Sequence, residues 1–331
     1  MRSTVGRAPA AVGGVGQAGG MDSPSAVAHV DRTVLEVPGP FDGGGVIRFL
    51  SWHAVTGAEE GDATSFTQSA RLAHGAGTVT VRLLEAEPGD VGGARVEVTT
   101  RVEHAADAAE LLAGTRRLLG LDVDAARIDA DLARDPALAA VVRATPGLRI
   151  PGTLDPRSTL FRTIVGQQIS VASARATHGR MTADLGEDLP ASVAHGSVTR
   201  LPPTAARIAR DGGELLRGPA RRTATLIRIA EALETGELVI EPGVPRAELR
   251  AALVAFHGVG PWTADYVAMR ALGEPDILLS GDLIVRRGGA ALGLPDEARA
   301  LDARAAAWSP WRSYATLHLW RVMTDGMPAA G

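Results

Sequence analysis

The chain has no cysteine and no lysine in 331 residues. The first absence excludes disulfides, cysteine-ligated zinc and a cysteine-held iron–sulfur cluster. It is also compatible with a reducing cytoplasm. The second absence is more informative. All 34 basic residues are arginines, so no lysine amine can form a Schiff base here. The bias itself, with abundant Ala and Gly, reads as genome composition. No apolar run reaches the length of a membrane span, so the chain reads as soluble, with no membrane partner. The formal net charge is −4, whereas a dedicated nucleic-acid binder usually has a basic balance. That balance still permits a local basic face. What is present is ordinary: 45% hydrophobic residues, and length for two or three domains.

Residues 1–29 are rich in Gly, Ala, Ser and Val and read as a disordered tail. From Val30 the pattern is mixed. "TVLEVP", "SFTQSARLA", "GTVTVRLLEA" and "GARVEVTTRV" read as strands of an antiparallel sheet, and "GVIRFLSWHAV" has the helical spacing of Val46, Phe49, Leu50 and His53. After Ala105 the pattern turns helical. Leu111, Leu112, Thr115, Leu118 and Leu119 form one stripe, and further helical segments run to the C-terminus. Residues 158–181 read as one such segment. The expected class is α+β: a sheet domain over residues 30–119, then an all-helical region over 120–331.

"HGVGPWTADY" follows an apolar helical segment that ends near Phe256. Proline suits a first helical turn. Glycines at 258 and 260 let backbone amides approach another molecule, and free amides at a helix start bind anions such as DNA phosphate. The same letters also fit a tight helix–helix turn with a glycine cap. Trp262 and Tyr266 lie four apart on one helical face, as core pairs also do. Asp282 follows a Ser-Gly turn at the start of another helix, where the helix dipole favours a carboxylate and a plain N-cap is equally at home.

Taken in order, "FRTIVGQQIS", "HGVGPWTADY", the Asp282 region and "WSPWRSYATLHLWR" resemble the AlkA-type DNA-3-methyladenine glycosylase II family of the helix-hairpin-helix superfamily. The resemblance runs from about Leu35 to Met323. It implies a TATA-binding-protein-like N-terminal sheet domain and a two-part helical core, roughly residues 144–274 and residues 120–143 plus 275–331. It implies that Asp282 is the catalytic aspartate and that Trp262, Tyr266, Trp320 and Phe49 surround the base. Gly258, Val259, Gly260 and Thr263 would grip DNA, and Gln168 would be wedged into the duplex. No cofactor is implied beyond a Na+ or K+ ion that the main-chain carbonyls of Val254, Phe256 and Val259 could hold.

The implied activity is base-excision repair in the bacterial cytoplasm, by a monomer acting on double-stranded DNA with alkylated purines. Strand-cutting relatives use a lysine in the hairpin; the matching position is Trp262, so an intact abasic site is expected. Departures from the pattern are Ser280, Gly281, Leu283 and His53, and they bear on substrate range. Some relatives carry a cysteine-rich methyl-transfer module, which a chain without cysteine does not. A non-catalytic DNA- or lesion-binding protein, and a glycosylase for deaminated or oxidised bases, are the alternatives. Arg270, Arg286, Arg287 and Arg312 are expected to make the DNA face locally positive.

Overall fold

The computed structural model describes residues 28–85 and 93–324; nearly all of the expected tail lies outside this range. Five antiparallel strands come first: β1 (His29–Val37), β2 (Glu59–Gly61), β3 (Ser65–Arg71), β4 (Ala76–Leu83) and β5 (Ala94–Val102). Their spatial order is β1-β5-β4-β3-β2. Helix α1 (Gly43–Trp52) joins β1 to β2, and α2 (Ala108–Leu119) follows β5. Period-two alternation places Phe66, Val79, Val81, Val96 and Val98 on one face. The register sets Phe66 opposite Val81, and Val81 opposite Val98. That face is closed by Val46, Ile47 and Leu50 of α1 and by Leu111, Leu118 and Leu119 of α2. The stripe read on α2 therefore faces the sheet.

The rest is mainly helical: α3 (Ala125–Leu132), α4 (Pro136–Ala144), α5 (Pro156–Gly166), α6 (Val171–Leu185), α7 (Ala205–Leu215), α8 (Ala220–Thr235), α9 (Arg246–Val254), α10 (Pro261–Ala271), α11 (Leu283–Ala291), α12 (Ala298–Arg304) and α13 (Arg312–Thr324). Local chemistry starts many of them. Asp124, Asp135, Asp155, Ser170, Thr204, Asp282 and Glu297 cap helices through their side chains, each worth about 1 kcal/mol. Leu160, Ile164, Leu253, Val267, Val285 and Leu319 belong to one continuous core. Helix α10 is central to it, burying Thr263, Ala264, Val267, Ala268 and Met269.

Two sequence expectations are corrected. The helical region is not all-helical, because β6 (Glu187–Asp188) pairs with β7 (Arg200–Leu201) between α6 and α7. This hairpin covers the second face of the first sheet. Thr78 Oγ1 donates to the Val193 carbonyl at 2.7 Å, and Ser69 Oγ to the Arg200 carbonyl at 2.7 Å. Strands of two residues carry no detectable period, so they escape a pattern reading. Residues 158–181 are two helices, not one. Gln168 adopts φ +61 between α5 and α6, and Ser170 caps α6 by accepting from Ser173 N–H at 3.2 Å. Among the described residues no helix is long and apolar enough to cross a membrane.

Candidate active site

The turn between α9 and α10 is shaped by glycine. Gly258 has φ +89, and a Cβ there would stand 2.9 Å from Thr225 Oγ1 on α8. That hydroxyl donates to the His257 carbonyl at 2.9 Å, pinning the turn to α8. Val259 is buried and anchors it from below. Helix α10 then opens at Gly260 with no side-chain cap, and Pro261 has no N–H. The remaining donors of the first turn are left to an external acceptor. Beside the turn, Arg221 Nε donates to His257 Nε2 at 2.5 Å.

Gln168 is exposed, and among the described residues it is the one non-glycine residue with positive φ. Such a conformation costs on the order of 1 kcal/mol and persists where surroundings enforce it. Here Gln167 does the enforcing. Its Nε2 donates to Thr263 Oγ1 at 2.9 Å and to the Gly258 carbonyl at 3.3 Å, while Arg222 Nη2 donates to its carbonyl at 2.8 Å. The α5–α6 turn is thereby tied to the α9–α10 turn. Thr263, expected at the DNA surface, is buried and spends its hydroxyl on this link. Sequence reasoning missed Gln167 and Arg222; the first glutamine of "GQQIS", next to Gln168, was the only available signal.

Asp282 caps α11. Its Oδ1 accepts from Ile284 N–H at 2.7 Å and from Val285 N–H at 3.2 Å, and its Oδ2 accepts from the Trp262 indole N–H at 3.0 Å. The carboxylate is therefore held at both oxygens and remains half-buried. Helix α11 reaches this position by lying directly on α13: a Cβ at Gly288 would fall 2.0 Å from the Leu319 carbonyl oxygen. That contact places Trp320 near the same face. Trp262 stacks on Tyr266 with centroids 5.2 Å apart and planes 9° from parallel. Tyr266 meets Trp320 at 6.2 Å and 58°. All three rings are half-buried, unlike the core aromatics Phe66 and Trp308.

Phe49 joins this set through an intermediary. The Arg270 guanidinium lies 4.5 Å from the Phe49 centroid and 5.7 Å from that of Tyr266. His53 packs on Phe49 at 4.3 Å and bonds its carbonyl through Nδ1 at 2.7 Å. Burial, reinforced by nearby Arg270, Arg162 and Arg175, holds His53 down to about 4, against the Phe49 bond that raises it. The expectation for the basic residues is corrected in part. Arg270 points inward, and Arg312 is consumed by Asp276 through bonds of 2.6 and 2.8 Å. Arg286 bonds the Asp296 carbonyl at 3.2 Å, and Arg287 is exposed. Two small cavities lie elsewhere, one beside Glu59, Arg162 and His178, the other beside Arg180, Arg217 and Arg222; the aromatic set is an open wall.

An antiparallel sheet domain, a glycine hairpin feeding an uncapped helix, and a capping aspartate beside stacked aromatics are the features of the helix-hairpin-helix glycosylase fold. Residues 32–155 match the model of the AlkA N-terminal domain. The chain is 36% identical over 301 residues to a Mycobacterium tuberculosis protein described as a probable bifunctional transcriptional activator/DNA repair enzyme AlkA; the match takes in 90% of this chain but 59% of that protein. It is 30% identical over 288 residues to DNA-3-methyladenine glycosylase 2 of Escherichia coli, covering 85% of this chain and 94% of that one. The chain belongs to the AlkA, or DNA-3-methyladenine glycosylase 2, family. Its fold also matches a solved 3-methyladenine DNA-glycosylase from Archaeoglobus fulgidus, with TM-score 0.73 and 18% identity over 89% of this chain and 100% of that one. A Clostridium acetobutylicum 8-oxoguanine glycosylase/lyase matches with TM-score 0.60 and 18% identity over 82% and 98%.

Proposed function

We propose that the chain is a monofunctional DNA glycosylase that releases alkylated purines from duplex DNA, acting as a monomer in the bacterial cytoplasm. The observation that carries this reading is the Trp262–Asp282 hydrogen bond of 3.0 Å, which fixes a carboxylate at the edge of a stacked aromatic wall. A base in duplex DNA must be flipped out to be reached, at a cost of about a few kcal/mol that is least for damaged bases. The uncapped first turn of α10 would hold the backbone through its amides, and Gln168 would fill the vacated stack. Purines methylated at a ring nitrogen are cationic, and the faces of Trp262, Tyr266 and Trp320 attract cations by roughly 0.5–2 kcal/mol per good contact.

As the C1′–N bond breaks, its electron pair goes to the base, which leaves neutral. Positive charge grows on the sugar. The Asp282 carboxylate stabilises that charge, orients the water whose oxygen bonds C1′ and accepts the proton that water gives up. With all 34 basic residues being arginine, no lysine amine can take the place of water, so the strand is left uncut at an abasic site. A monovalent cation would sit on the carbonyls of Val254, Phe256 and Val259, since oxygen donors suit such ions. The Phe256 carbonyl already accepts Val259 N–H at 3.1 Å and keeps a second lone pair.

One observation favours a second reading, a non-catalytic DNA-binding protein: Asp282 Oδ1 accepts from both Ile284 N–H and Val285 N–H, the arrangement of a purely structural cap. A panel of lesion-bearing duplexes decides between them. Release of methylated purines, with strand breaks only after alkali, supports the glycosylase. DNA binding without release supports the alternative.

A further inference from the structure

Arg270 is a cation built into the aromatic wall. It is half-buried on the same face of α10 as Trp262 and Tyr266, at successive spacings of four. Its Nη1 donates to Tyr266 Oη at 2.8 Å, its Nη2 to the Gly152 carbonyl at 3.1 Å, and its Nε to the Pro151 carbonyl. Its plane covers Phe49 at 4.5 Å. Every one of these partners is neutral, and among the described residues no carboxylate is paired with it. The group is fixed at three nitrogens, so it cannot swing away as a solvated surface arginine would.

A fixed, unneutralised positive charge changes what such a wall selects. Phe49 and the hydroxyl edge of Tyr266 are already spent on a guanidinium, so they are not free to attract a second cation. A cationic base against Tyr266 is repelled by Arg270, and repulsion between like charges is stronger and less screened in a partly desolvated site than in bulk water. A neutral base with a carbonyl or ring-nitrogen acceptor meets no such repulsion, and a guanidinium retains further N–H donors to offer it.

We propose that Arg270 is a specificity-determining residue whose fixed charge lowers the preference for cationic alkylated bases relative to neutral purines. This rests on the glycosylase reading given above. It adds that the Trp262–Tyr266–Trp320 wall favours cations while Arg270 offsets that preference, so substrate range is set by the balance of the two.

The test compares kcat/KM for 7-methylguanine and for hypoxanthine placed at the same position of one duplex, using the full chain and its Arg270→Met and Arg270→Lys variants. The ratio of the two values does not depend on what fraction of a variant folds. Arg270→Met should raise the cationic-to-neutral ratio about tenfold, an energy near 1.4 kcal/mol. Arg270→Lys, which keeps the charge, should stay within about threefold of the parent. A ratio unchanged in Arg270→Met, with both rates falling together, overturns the proposal and leaves Arg270 a structural strut. Release of neither base by the parent chain overturns the glycosylase reading and this inference with it.

Discussion

The indole N–H of Trp262 donates to Asp282 Oδ2 at 3.0 Å, across the gap between the first turns of α10 and α11. One residue is thus both a ring in the aromatic wall and a clamp on the carboxylate. Trp262→Phe separates these roles, keeping a ring and removing the donor. A hydrogen bond to a charged group is worth about 1.5–3 kcal/mol, so base release should slow by roughly tenfold or more, mostly in kcat. Single-turnover rates on a methylated duplex give the answer.

The bond from Gln167 to Thr263 makes the strained turn at Gln168 a separate experiment. Gln168→Gly relieves the φ of +61 and should stabilise the fold by up to about 1 kcal/mol. It also removes the side chain proposed to fill the vacated stack. Melting temperature should rise while the 2-aminopurine signal of base flipping falls. Gln167→Ala should lower both.

Glu59 is buried at 6% exposure and joins α5 to the sheet domain. Its Oε1 accepts from Arg162 Nη1 at 2.6 Å, and its Oε2 from Val55 N–H at 2.9 Å. Arg162 also donates to the His53 carbonyl at 2.6 Å. Removing one partner of such a pair strands the other charge, at a cost of about 3–5 kcal/mol. Arg162→Ala should therefore lower the urea midpoint sharply, whereas Arg162→Ala with Glu59→Gln should recover part of the loss.

His178 and His318 are buried and held down to about 3 and about 4, both chiefly by burial and secondarily by a nearby arginine. They are neutral in the fold, while in the unfolded chain they protonate near the ordinary histidine value of 6.5. Below that value the unfolded state binds the additional protons. Stability is therefore complete above about pH 6.5 and falls on acidification toward pH 4, by about 1.4 kcal/mol per unit for each histidine. His318→Gln should flatten the fall in a denaturation series from pH 7 to pH 5.

The sheet and α10 were legible because their residues follow a period. Val79 and Val81 alternate, and Val267 and Ala268 sit opposite Tyr266 on a helix that Pro261 starts. The turn at Gln168 was not legible, since "GQQIS" contains no residue that favours positive φ; Arg222 and Thr263, distant in sequence, impose it. Trp262, Tyr266 and Asp282 could be named from their motifs, but the hydrogen bond linking two of them could not. Arg270 left one signal, its spacing of four from Tyr266, which is equally common on solvated helix faces. Only the fold shows that it turns inward toward Phe49.

The most direct measurement is the rate of 7-methylguanine release from one defined duplex by the parent chain and by Asp282→Asn. Asparagine is as good an N-cap as aspartate, so α11 keeps its start while the charge is lost. The parent should release the base and leave a strand that breaks only in alkali, and Asp282→Asn should be slower by about a hundredfold or more. Equal rates, or no release by the parent, would contradict the assignment of Asp282 as the catalytic carboxylate.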